Sequence, residues 1–109
     1  MTAVRYASVI GVPPETVDRY EELHRAVPPQ VLAAIARCNI TNYSIYRHGD
    51  LLFSYFEYTG ADYEADAANM AADPATQAWW ALCTPLQVSV DGPSTATSWK
   101  PIPELFHVD

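Results

Sequence analysis

"NITNYSIYRHGDLLFSYFEYTG", Asn39 to Gly60, is the stretch whose reading decides the fold. Two runs rich in β-branched and aromatic residues flank "RHGD", whose Gly49 and Asp50 are tight-turn residues. The stretch therefore predicts a β-hairpin with strands near Ile40 to Arg47 and Leu51 to Thr59. Strand side chains alternate, which puts Tyr43, Ile45 and Arg47 on one face and Asn42, Ser44 and Tyr46 on the other. One of these faces must meet helices.

Upstream, "VRYASVIGV", Val4 to Val12, reads as a further strand that stops at Pro13 and Pro14. These prolines open a predicted helix from about Glu15 to Arg25, because proline suits the first helical turn and Glu15 and Asp18 suit its positive end. "PPQVLAAIARC" supplies a second helix after Pro28 and Pro29, with apolar residues at Val31, Leu32, Ile35 and Cys38. The two prolines demand a bend between the helices.

Downstream, "ADYEADAANMAA" and "DPATQAWWALCTPL" are helical, with Asp73 as cap and Pro74 in the first turn of the second piece. "QVSVDGPSTATS" is polar and turn-rich, a loop, and "WKPIPELFHVD" is an extended segment that Pro101 and Pro103 confine to an edge or crossing strand. The order is βαββαβ, which predicts an α+β fold: a four-stranded antiparallel sheet with helices on one face, in one domain over residues 1–109. The uncovered sheet face also needs burial, and a symmetric homodimer pairing sheet to sheet supplies it.

A chain of 109 residues that is 50% apolar and 17% charged is long enough to bury one modest core. Its formal charge is −7 and its only lysine is Lys100. Nucleic-acid binding needs clustered cations along the phosphates, so that class is excluded, as is an anionic membrane surface. No apolar run reaches the length of a membrane helix. The opening "MTAVRYASVIGV" lacks a basic and hydrophobic leader, so a cytoplasmic location is expected, with Cys38 and Cys83 as reduced, buried space-fillers.

Motifs for metals, phosphates or a nucleophilic serine are absent: there is no HExxH, CxxC, GxGxxG, P-loop or GxSxG. Of three histidines, His48 falls at the hairpin tip, His107 near the C-terminus, and only His24 in a helix. Tyr20 and His24 stand four residues apart in "YEELH" and share a helix face. They could point into one cleft, or His24 could simply close a helix end beside an aromatic ring. The sequence also holds a surplus of seven tyrosines, three tryptophans and three phenylalanines. Tyr and Trp join an apolar plate to a polar handle, which suits sugars, although several must fill the core or an interface. Trp79 and Trp80 are adjacent, and neighbouring helix positions point about 100° apart, so if one indole is core the other needs a different wall.

"YEELH", "NYSIY", "LLFSYFEY", "QAWW" and "ELFHVD", spread in this order from about Arg5 to Asp109, resemble the L-rhamnose mutarotase family. The resemblance implies a ferredoxin-like, dimeric α/β-barrel fold, a cytoplasmic homodimer, and interconversion of the α and β anomers of L-rhamnose or a related deoxyhexose without a cofactor or metal. It implies His24 as general acid, Tyr20 and Tyr43 as sugar-contacting tyrosines, and Trp79 with Trp80 as paired substrate-binding tryptophans. Two rival expectations are a cofactor-free oxygenase on the same dimeric barrel and a non-catalytic small-molecule-binding dimer.

Overall fold

The computed structural model describes residues 3–92 and 97–109. Within them the hairpin forms as β2 (Ile40–His48) and β3 (Leu51–Tyr58), and β1 (Val4–Gly11) lies antiparallel along the far side of β3. The final strand β4 (Lys100–Pro101) is only two residues long and sits at the edge against β1, giving the order β2-β3-β1-β4. Pro101 has no N–H to extend a ladder, and Pro103 follows two residues later, so the strand stops almost where it starts. This is the four-stranded antiparallel α+β architecture that the element order predicts.

The hairpin departs from strict alternation in one place. The register shifts between Thr41 and Ser44, a β-bulge in which Asn42 takes a left-handed φ of 48°. Asparagine tolerates that region better than most residues. The extra residue turns Ile40, opposite Tyr58, onto the face that also carries Ile45, opposite Ser54. Without it Ile40 and Tyr43 would point to opposite sides. The face with Tyr43, Ile45 and Arg47 is the one that meets the helices.

Four helices cover that face. Helix α1 (Val17–His24) starts two residues later than the prolines suggest, because Pro13 to Thr16 form a turn closed by Thr16 N–H donating to Pro13 O at 3.0 Å. Helix α2 (Pro29–Arg37) follows with Pro29 in its first turn. Helices α3 (Tyr63–Ala72) and α4 (Pro74–Cys83) are capped by Asp62 and Asp73, whose carboxylates accept from Ala65 N and Thr76 N. A short 3₁₀ turn, Thr84–Leu86, ends the helical layer.

The core joins Ile10 and Val12 of the first strand region and Leu52 of β3 to Tyr20, Val31, Trp79 and Cys83 of the helices. Cys38 and Cys83 are buried free thiols. His48 lies exposed beside the hairpin turn, and His107 is exposed in the tail, its Nε2 2.7 Å from Asp109 Oδ1. The loop predicted from Gln87 to Ser98 is irregular where described, apart from a single bridge of Val88 to Gly11. Its residues 93–96 lie outside the described set. Among the described residues no helix is long and apolar enough to cross a membrane.

Candidate active site

The space between the helices and the sheet opens into adjoining cavities of about 590, 380 and 290 Å³, and Tyr43 and Trp79 line all three. The 290 Å³ cavity brings together the five residues singled out from the sequence: Tyr20 and His24 from α1, Tyr43 from β2, and Trp79 and Trp80 from α4. The two indoles divide as their angular separation requires. Trp79 is 9% exposed and part of the core, Trp80 is 43% exposed, and both border the same hollow.

His24 is the last residue of α1, where backbone carbonyls run out of helical partners. Its Nδ1 lies 2.8 Å from Tyr20 O. A carbonyl can only accept, so Nδ1 carries the hydrogen and donates, and Nε2 is left for a ligand. The imidazole stacks on the Tyr20 ring at 4.2 Å between centroids and meets Trp79 edge-on at 5.0 Å. The helix-end role and the cleft role that the sequence leaves open are therefore compatible: one nitrogen closes the helix and holds the ring for the other.

No carboxylate lines this cavity among the described residues. Burial raises the Tyr20 and Tyr43 phenols above their ordinary range, so both remain neutral hydroxyls. Burial likewise pushes the Cys83 thiol up to about 11. Imidazole is then the chemistry in the hollow best suited to giving and taking protons, surrounded by neutral hydrogen-bonding groups and aromatic walls.

Sequence reasoning missed further members of the lining. Gln87, Ser98 and Trp99 face the same cavity from the connection between α4 and β4. Gln87 Nε2 donates to Tyr20 Oη at 3.4 Å. The signal was faint: a lone amide opening a polar loop and a third tryptophan beside a proline-rich tail look like any surface connection.

A family model described as L-rhamnose mutarotase matches residues 5–108. The chain belongs to the L-rhamnose mutarotase family. This is a family of carbohydrate isomerases, and its curated members include two different named activities. An L-fucose mutarotase from Xanthomonas campestris pv. campestris is 34% identical over 94 residues, 83% of this chain and 74% of that protein. An L-rhamnose mutarotase from Oceanobacillus iheyensis is 28% identical over 108 residues, 96% of this chain and 98% of its own. The fold is also that of a crystallised L-rhamnose mutarotase from Formosa agariphila, with a TM-score of 0.76 and 19% identity over 97% of this chain and 99% of that one.

Proposed function

We propose that this protein interconverts the α and β anomers of a 6-deoxy-L-hexose, L-rhamnose or L-fucose, with His24 moving the proton. The observation that carries this reading is the meeting of His24, Tyr20, Tyr43, Trp79 and Trp80 around one hollow in a member of the mutarotase family. At about 290 Å³ the hollow is at the small end of ligand pockets, a size suited to a single pyranose.

Mutarotation opens a hemiacetal. The ring oxygen gains a proton, the anomeric hydroxyl loses one, and the free aldehyde turns before the ring closes on its other face. His24 in its protonated form gives its Nε2 proton to the ring oxygen, while the anomeric proton leaves to water, directly or relayed by the Tyr43 hydroxyl, which gives up its own proton as it accepts. As the ring closes, neutral His24 takes the proton of the sugar hydroxyl that attacks the aldehyde, and the aldehyde oxygen takes one back from water. The indoles of Trp79 and Trp80 form the apolar wall on which the C–H face and methyl group of a deoxy sugar rest. Positioned proton transfer contributes about 10²- to 10⁴-fold, ample for a reaction that already proceeds in water.

The test is saturation-transfer NMR of anomer exchange in L-rhamnose and L-fucose. Wild-type protein accelerates exchange, and folded His24→Ala does so by at least about 100-fold less. Exchange at the wild-type rate in that variant removes the role. Neither the oxygenase nor the non-catalytic reading has an observation in its favour.

We infer further that the working form is a homodimer joined through the outer sheet face. That face carries Val9 opposite Phe53, Phe53 opposite Tyr46, and Ala7 opposite Tyr55, an apolar band that the chain's own helices do not cover. The tail beside it exposes Leu105 at 93% and Phe106 at 81%, which a second copy would bury.

A further inference from the structure

Gln87 stands where the backbone is clamped on both sides. Before it, Thr16 Oγ1 donates to Leu86 O at 2.7 Å. After it, Val88 pairs with Gly11 in both directions, Gly11 N to Val88 O at 2.7 Å and Val88 N to Gly11 O at 2.9 Å. This close pairing needs glycine, because a Cβ on residue 11 would lie 2.8 Å from Val88 O and 2.9 Å from Val88 Cγ1. Gln87 N itself donates to Thr84 O at 3.1 Å. An ordinary loop residue is free to swing, but this one is held at a fixed register beside the His24 cavity.

Its side chain is correspondingly placed. The amide NH₂ has no lone pair to offer, so in the contact with Tyr20 the phenol oxygen accepts and the amide donates. Tyr20 is 4% exposed, and burial keeps its phenol protonated. Its single O–H proton is therefore not used on Gln87 and is available to the cavity, where Tyr20 would act as a donor. Among the described residues Gln87 Oε1 has no protein partner, which leaves an acceptor beside that donor.

We propose that Gln87 is a positioning residue for the proposed mutarotase: it turns the Tyr20 hydroxyl proton toward the sugar and offers its own Oε1 to an adjacent sugar hydroxyl. Tyr20 and Gln87 then read two neighbouring oxygens of the sugar as a donor and acceptor pair. This rests on the proposed function and adds a residue from the connection between α4 and β4, a part of the chain that none of the five motif residues occupies.

The experiment combines Gln87→Leu, Tyr20→Phe, their double variant and Gln87→Glu, each checked for folding by circular dichroism and thermal melting, with anomer exchange followed by NMR. Gln87→Leu lowers kcat/KM about tenfold with little change in melting temperature. The double variant loses clearly less than the product of the two single losses, because the part of the Gln87 effect that runs through the Tyr20 hydroxyl is already gone in Tyr20→Phe. Gln87→Glu reverses the hydrogen bond, since a carboxylate accepts the Tyr20 proton and withdraws it from the sugar. Its activity relative to wild type therefore rises as pH falls toward about 4.3, where a glutamic acid regains a donor. Additive losses in the double variant, or a pH-independent ratio for Gln87→Glu, overturn the assignment. Acceleration by wild type with unaffected Gln87 variants sinks this inference alone; no acceleration by wild type sinks the function and this inference with it.

Discussion

The His24 imidazole closes the end of α1 with one nitrogen, which keeps the other for the proton transfer proposed for it. Nδ1 is spent on Tyr20 O at the end of α1, so the proposed role falls to Nε2. His24→Asn keeps an amide N–H near the Nδ1 position and has nothing at Nε2. It is expected to fold and melt close to wild type while losing anomer exchange by about 100-fold or more, measured by NMR beside a melting curve. Cys83 lines the same cavity with its thiol pushed up to about 11 by burial. Alkylation by iodoacetamide at neutral pH is therefore slow in the native protein and accelerates on unfolding; fast native labelling would contradict the buried thiol. At this scale the sequence was informative wherever a side chain type restricts its own surroundings. Two adjacent indoles cannot share the centre of one stripe, and Trp79 and Trp80 do differ in burial while meeting one hollow. Gln87 carries no such restriction, so nothing in the sequence marks it.

Elements are joined here by a few short-range devices. Tyr58 of β3 donates to Asp66 of α3 at 2.5 Å and accepts from Asp62 N at 3.0 Å, and Asn39 Nδ2 donates to the same Asp66 carboxylate at 3.0 Å. Gly60 makes room for this latch, since a Cβ there would fall 2.3 Å from Tyr58 Oη, inside any real contact distance. Gly60→Ala is thus expected to break the latch and lower the melting temperature by roughly 4–8 °C or more, as a loss of about 1 kcal/mol does in a domain of this size. The Asp73 carboxyl is held below the usual range, chiefly by the Thr76 backbone N–H, then by the Thr76 hydroxyl and Arg37, and Asp66 is held low by the Tyr58 hydroxyl and the Asn39 amide. Both carboxylates have depressed folded values. Their contribution to stability is full above the ordinary aspartate value of about 3.9 and is lost as pH falls through the folded values. Thermal melts should stay level down to about pH 5 and drop in the acid region below the ordinary aspartate value, less steeply in Asp73→Asn. Caps, prolines and the glycine turn were readable because they act on their immediate neighbours. The bulge at Asn42 was not, because a period-two pattern of polar and aromatic residues around "TNYS" looks the same with or without an inserted residue.

The whole molecule leaves one side of its sheet unfinished. Helices bury the face with Ile10, Leu52 and Ser54, whereas the face with Val9, Phe53 and Tyr46 meets none of them. If a second copy covers it, Phe53→Glu places a charge at the centre of the contact and yields a monomer by sedimentation velocity, while the wild type sediments as a dimer; a monomeric wild type would end that proposal. The order of elements, the hairpin and its turn, and the helix starts to within two residues were determined by the sequence itself, because each follows from periodicity and turn chemistry within a few residues. The meeting of α1, β2, α4 and the connection after it around one cavity was decided only by the tertiary structure. Tyr20 and Gln87 are 67 positions apart, and no local pattern encodes that two such side chains will touch. Their contact depends on how α1 settles beside the connection after α4, through Thr16 on Leu86 O and the clamp that Gly11 permits, both of which come from packing across the chain.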